Sequence, residues 1–202
     1  MEKNERLDRQ IDFCREIDKE KLIGRQTYLS DASRKENDSE HAWHMAIMAY
    51  LLKEYANEDI DIAKTMIMLL THDLVEIYAG DTYAYDEKGK ESQNAREHAA
   101  ADRLYGMLPK DQMEELRAIW DEFEAEETAE AKFARTLDNF QPVMLNDASG
   151  GLSWRENKIR LSQVLRRNVN THKGSEELWQ YEHDNMIMKN VDAGNLINDI
   201  DN

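Results

Sequence analysis

The stretch Met66-Ile67-Met68-Leu69-Leu70-Thr71-His72-Asp73-Leu74-Val75-Glu76 decides how this chain is read. It is an apolar run with a histidine and an aspartate set side by side inside it. Burying that pair is costly unless the two groups are partnered or bind a metal. Glu76 lies four residues after His72 and three after Asp73, so on a helix all three share a face. A His-Asp pair by itself is more often a hydrogen-bonded core pair or a helix-end cluster than a ligand set, so the rest of the chain has to decide.

Outward from this stretch, apolar residues recur at helical spacing, and only Pro109, Pro142 and eight glycines punctuate the sequence. The spacing predicts a first helix with Leu7, Ile11, Cys14 and Ile17 as its inner stripe. A second runs from a cap at Asp38 or Ser39 to about Tyr55, with Trp43, Ile47, Met48 and Leu51 inside. The third carries the decisive stretch, from about Ile60 to Tyr78, with Ala63, Met66, Ile67 and Leu70 buried and Gly80 as its stop. Further helices are expected over residues 91–107, 110–124, 128–146, 156–169 and 175–191. No segment shows strand alternation, a repeat or a linker. The expected fold is all-α, a single-domain helical bundle over residues 1–202. The ten methionines read as adaptable core filling, and the acidic stretch Asp121 to Glu130 as a solvated helix end.

Bulk properties narrow the function classes. A chain of 202 residues, 41% of them hydrophobic, suffices for one substantial core. Its formal charge of −16 opposes binding to a nucleic acid polymer or an anionic membrane surface. An anionic substrate would need a local arginine, lysine or metal. Cys14 is the only cysteine, which excludes an intramolecular disulfide framework and an all-cysteine zinc site. Met1 to Asp12 is charged throughout with no signal-peptide core, and no apolar run approaches the roughly 20 residues of a membrane span. A cytoplasmic protein is expected.

Two distant residues complete the decisive stretch. His41 follows Glu40 near the start of the preceding helix. Asp138 sits in the apolar segment Phe133-Ala134-Arg135-Thr136-Leu137-Asp138-Asn139-Phe140, and Pro142, four residues on, predicts a kink or an end of that helix. Two imidazoles and two carboxylates make a mixed nitrogen–oxygen set suited to one divalent ion such as Mn²⁺, Co²⁺, Fe²⁺ or Zn²⁺.

The order His41, His72-Asp73, Asp138 resembles the HD-domain superfamily of metal-dependent phosphohydrolases. The stretch Ser39-Glu40-His41-Ala42-Trp43-His44-Met45-Ala46 and the block His72-Asp73-Leu74-Val75-Glu76-Ile77-Tyr78-Ala79-Gly80-Asp81 are similar to its 5′-nucleotidase group, which includes the bacterial 5′-deoxynucleotidases. The resemblance extends roughly from Leu22 to Asn168; Gly151-Leu152-Ser153-Trp154-Arg155-Glu156 also fits, less specifically. It implies an HD-type helical bundle that hydrolyses (deoxy)nucleoside 5′-monophosphates through a metal-activated water. His41, His72, Asp73 and Asp138 would hold the metal, Glu76 would orient or deprotonate the water, Asp81 would contact a sugar hydroxyl and Arg25 would steady the substrate. Homodimerisation is implied on the same ground.

Departures from the pattern matter as well. In the bacterial deoxynucleotidases a tryptophan follows the arginine; here it is Gln26, which predicts only a modest preference for 2′-deoxy substrates. Ile77 counts against the alarmone hydrolases, which show His-Asp-x-x-Glu-Asp. Only His98 lies between the His-Asp pair and Asp138, which counts against a two-metal site. Another phosphohydrolase acting on a different small phosphate ester, or a catalytically silent nucleotide-sensing module, stand as alternatives. His44 is expected to pack between helices and His98 to be exposed; Arg155, Lys158, Arg160, Arg166 and Arg167 could line a phosphate channel, but the expectation is an outer helix face that balances nearby acids.

Overall fold

The computed structural model describes residues 3–200. Its helices are α1 (Lys3–Ile17), α2 (Asp38–Leu52), α3 (Ile62–Thr71), α4 (Glu76–Ala79), α5 (Glu87–Tyr105), α6 (Lys110–Ala125), α7 (Ala129–Ala148), α8 (Leu152–Glu156), α9 (Leu161–Arg167), α10 (Glu176–Glu182) and α11 (Met188–Asp192). The fold is mainly helical, as expected. Although no strand was expected, the segment before α2 forms a two-stranded antiparallel hairpin, β1 (Gly24–Tyr28) and β2 (Lys35–Asn37). Its strands are too short and too polar for alternation to show.

Two apolar clusters organise the helices. The larger joins α2, α3, α7 and the C-terminal helices through Met45, Met68, Phe133, Leu137, Trp154 and Ile187. The smaller joins α1, α5 and α6 to the segment after His72 through Phe13, Leu74, Val75, Leu104, Tyr105 and Trp120. Leu178, Met186 and Ile187 of the C-terminal segment belong to the larger cluster.

The decisive stretch lies between the clusters and is not one helix. α3 stops at Thr71, residues His72–Val75 form a 3₁₀ turn, and α4 resumes until Gly80, whose φ of 76° suits glycine best. The carbonyls of Thr71 and His72 at this break accept hydrogen bonds from the Tyr105 hydroxyl (3.1 Å) and Trp120 Nε1 (3.2 Å). Asp73 and Glu76 still share a face, because side chains three apart eclipse in a 3₁₀ turn. Pro142 does not end its helix: α7 runs through it to Ala148. The proline lacks only the N–H that would have met the Asp138 carbonyl, and dense packing around α7 sustains the helix.

Most members of three predicted inner stripes face outward, though Ile17, Met48 and Met66 do pack on the core. Leu7, Ile11 and Cys14 are exposed on α1, where Phe13 is buried instead and Arg6, Arg9 and Gln10 bond to residues 106–112. On α2, Trp43 is 63% exposed, Leu51 63% and Ile47 44%; Ala42, Met45, Ala46, Met48 and Ala49 are inside. On α3, Ala63, Ile67 and Leu70 are exposed, while Thr65, Met68 and Leu69 are buried. α2 is apolar on both faces, so periodicity could not tell the core side from the outer one.

Candidate metal centre

α2 begins with a reciprocal cap: Asn37 Oδ1 accepts from the Glu40 backbone, and the Glu40 side chain accepts from the Asn37 backbone. This fixes the first turn and delivers His41, fully buried, into the space between α2, α3 and α7. His72 comes from the break after α3, and Asp138 from the middle of α7. The structure thereby brings together all four residues proposed as ligands. His72 Nε2 lies 3.0 Å from Asp73 Oδ1 and 3.7 Å from Asp138 Oδ1. His41 Nε2 lies 3.3 Å from Asp138 Oδ1 and 4.0 Å from Asp73 Oδ2. Ligand atoms of His41, His72 and Asp73 all fall within 4.8 Å of one another.

The hydrogen bonds behind the rings say which nitrogens carry protons. Gln141 donates from Nε2 to Glu36 Oε2 (2.9 Å), which turns its carbonyl oxygen toward His41 Nδ1, 2.9 Å away. His41 Nδ1 is therefore the donor. His72 Nδ1 donates to the Leu69 carbonyl (3.0 Å), and its buried Nε2 finds no well-formed hydrogen bond. Both rings thus aim Nε2 lone pairs at the carboxylates of Asp73 and Asp138. Lone pairs and carboxylates repel unless a cation lies between them, so this donor set fits a divalent metal. Where no metal supplies that positive charge, a proton on His72 Nε2 does: burial opposes the charged ring, yet Asp73 and Asp138 prevail and push it up to about 10, so a bound metal would take the place of that proton. Burial and Arg25 push His41 down to about 4.

His72, Asp73 and Asp138 open onto a cavity of about 410 Å³, within the range of small-molecule sites. Arg25, Gln26, Glu76 and Asp81 line it too, so the other proposed site residues converge there. β1 places Arg25 against β2 and α2, where its guanidinium meets Asp73 Oδ2 (3.0 Å), Asp38 Oδ1 (3.3 Å) and Glu36 Oε1 (3.4 Å). Glu76 is buried, and its Oε2 and Asp38 Oδ2 have no donor. The two carboxyls interact directly, which favours the proton on Glu76 over Asp38. Burial, with Asp73, Asp38 and Asp81 nearby, pushes Glu76 well above the usual carboxylate range. Asp81 is raised by burial, against Arg25. Its loop is pinned by Arg96, which donates to the Ala79 carbonyl and to Thr82 Oγ1 (2.7 Å). Gln26 is held by Lys35, whose Nζ donates to its Oε1 at 2.6 Å.

Sequence reasoning missed several members of this site. Glu36, Asp38 and Gln141 carried no signal without the hairpin and the facing helix. Arg167 was expected on an outer face but lines the cavity and donates to Asp138 Oδ2 (3.0 Å); Arg155, Lys158, Arg160 and Arg166 are exposed as expected. Glu124 and Glu126, expected to be solvated, pair with Arg135 at the cavity wall. His98 is half-buried, edge-on to Trp120, rather than exposed. His44 sits behind Gln141 (3.3 Å), in a packing position.

Residues 17–179 match the HD domain family. The chain belongs to that family. Among solved structures, this HD-domain chain is similar to a predicted metal-dependent phosphohydrolase from Magnetospirillum magnetotacticum MS-1, with 45% identity, a TM-score of 0.90, and 95% and 96% of the two chains covered. It is 31% identical to the 5′-deoxynucleotidase HDDC2 of Bos taurus over 66% of this chain and 64% of that one. It is 26% identical to a 5′-deoxynucleotidase of Yersinia pestis over 76% of this chain and 82% of that one. The matches to the cattle and human HDDC2 proteins span just under two thirds of those proteins' length.

Proposed function

We propose that this HD-domain chain, working as one domain over its length, is a metal-dependent phosphohydrolase that converts nucleoside 5′-monophosphates, deoxy forms included, to nucleoside and phosphate. The observation that carries the reading is the convergence of two Nε2 lone pairs on Asp73 and Asp138 at the head of a cavity of nucleotide size. The similarity to 5′-deoxynucleotidases supports the substrate class.

In this reading His41, His72, Asp73 and Asp138 hold one divalent ion, Mn²⁺, Co²⁺, Fe²⁺ or Zn²⁺. Such an ion supplies Lewis-acid chemistry, acidifying water and polarising phosphoryl oxygens. The chain's own residues do the rest. Glu76 takes the proton of the attacking water as the new oxygen–phosphorus bond forms, and the 5′-oxygen, as its bond to phosphorus breaks, takes up a proton to leave as the nucleoside hydroxyl. The raised proton affinity of Glu76 makes its carboxylate a stronger base than an ordinary one. Asp81 accepts a hydrogen bond from a sugar hydroxyl, and Arg25 steadies the phosphate end. Gln26, tethered by Lys35, leaves room for a 2′-hydroxyl.

The protein works in the cytoplasm as a homodimer. No helix among the described residues is long and apolar enough to cross a membrane. The outer face of α2 and α3, with Trp43, Ile47, Tyr50, Leu51, Ile67 and Leu70 exposed, supports self-association. Sedimentation of wild type beside Leu51→Glu tests it: a monomeric wild type refutes the dimer. For the activity, metal analysis is followed by phosphate release from a panel of nucleoside monophosphates. About one ion per chain is expected, with both metal and activity lost in Asp73→Ala. Full metal in that variant, or no phosphate released by the loaded wild type, overturns the reading.

A further inference from the structure

Three arginines surround the metal-ligand carboxylates, and they are not equally free. Arg25 is 13% exposed and faces three carboxylates, so its charge is already overcompensated. Arg135 is enclosed by Glu124, Glu126 and Asp138 and lies 4.0 Å over the Phe123 ring. Arg167, at the C-terminal end of α9, is 33% exposed and lines the cavity. Its ion-pair partner is Asp138 Oδ2, an oxygen that Arg135 also bonds. Asp138 turns its other oxygen, Oδ1, toward His41 and His72. Arg167 therefore stands one carboxylate away from the point where the ligand atoms converge, on the side of the open cavity.

We propose that Arg167 binds the phosphate of the substrate, with Asp138 orienting its guanidinium. The assignment rests on the phosphohydrolase reading above and adds to it, beside Arg25, a second and less compensated cation for the anion. A planar guanidinium with one edge fixed by a carboxylate presents its remaining N–H groups in a fork suited to phosphate oxygens. In a chain of net charge −16, that contact is where anion binding is won or lost.

The test uses inorganic phosphate as the probe. Its affinity for the metal-loaded protein is measured by calorimetry for wild type, Arg167→Gln and Arg167→Lys, with metal content and melting temperature alongside. Arg167→Gln should keep about one ion per chain and bind phosphate about tenfold to a hundredfold more weakly, the loss of a charge-assisted contact. Arg167→Lys should recover part of that loss, and nucleotide KM should rise in the same order. Unchanged phosphate affinity in Arg167→Gln overturns the assignment while the functional reading stands. Loss of metal from both variants overturns it too, making Arg167 only a support for Asp138. A loaded wild type that neither binds phosphate nor hydrolyses any nucleotide removes the functional reading, and this assignment with it.

Discussion

Replacing Arg25 with methionine leaves a similar apolar stem and removes the one cation that Glu36, Asp38 and Asp73 share. All four side chains are largely buried: Arg25 is 13% exposed and the three carboxylates 2%, 0% and 14%. Breaking a buried ion pair from one side costs about 3–5 kcal/mol, because the other charge is left without compensation. Here the cost should depend on pH. Burial pushes Glu36 and Asp38 up to about 7 even with Arg25 opposing it, so both still hold protons at pH 5.5. Removing Arg25 raises them further. The variant's deficit from these two groups is therefore absent at low pH and grows as pH rises through 7, where wild type ionises them and the variant resists. Asp73, which His72 and Arg25 hold low against burial, adds a part that is constant over this range. At pH 8 the deficit should reach about 3–5 kcal/mol, a melting point lower by about 10 °C for a chain of this size. The assay is thermal unfolding in chelator at pH 5.5, 7 and 8.5. A variant that melts with wild type at every pH, or whose deficit shrinks on raising pH, refutes the ion-pair account.

Glu76→Gln should retain the metal and lose about a hundredfold or more in kcat, since it keeps shape but cannot take a proton; near-normal turnover would make Glu76 a structural acid. Glu182 is wholly buried with neither oxygen partnered, and burial pushes it up to about 8. Its folded value lies above its unfolded one, so wild type loses stability as pH rises from about 4.5 to 8. Denaturant unfolding should show Glu182→Gln gaining about 3–4 kcal/mol on wild type between pH 5 and pH 8, and a gap that stays flat refutes the assignment. For the sugar, kcat/KM for matched ribo- and deoxyribonucleotides should differ modestly, with the preference sharpening in Gln26→Trp; a wild-type deoxy preference beyond about a hundredfold would refute the relaxed gate.

What the sequence could reveal here depended on how local each feature is. The His72-Asp73 pair, Glu76 and the glycine stop all lie within a dozen residues, and their spacing survives the change from α to 3₁₀. The break itself was invisible, because its carbonyls are satisfied by Tyr105 and Trp120 on other helices. His41 and Asp138 were legible through the order of residue types rather than through periodicity. The inward and outward faces of α1, α2 and α3 were not legible. All three carry apolar residues on exposed surface, so the apolar stripe no longer marks the core. Glu36, Asp38, Gln141 and Arg167 become site residues only through the hairpin register and the docking of α7 and α9, which no local pattern encodes.

The electrostatics of the site sort its carboxyls into two kinds. Burial alone would raise Asp73 and Asp138, but His72 and Arg25 on one side, and Arg167, the histidines and Arg135 on the other, hold both ionised. Those are the two whose oxygens meet Nε2 of His41 and His72, and a metal ligand has to be deprotonated. Glu76, Asp38 and Glu36 lie in the same buried shell without enough cation to compensate them, and all three are raised. One set is thus committed to holding a positive charge and the other is able to hold a proton. Pushing neighbouring acids apart in this way is how a single shell supplies both a metal ligand and an acid–base group at neutral pH. The arginines that separate the two sets come from β1, α7 and α9, elements remote from each other in sequence. The division of labour is therefore a property of the assembled fold and of no single segment.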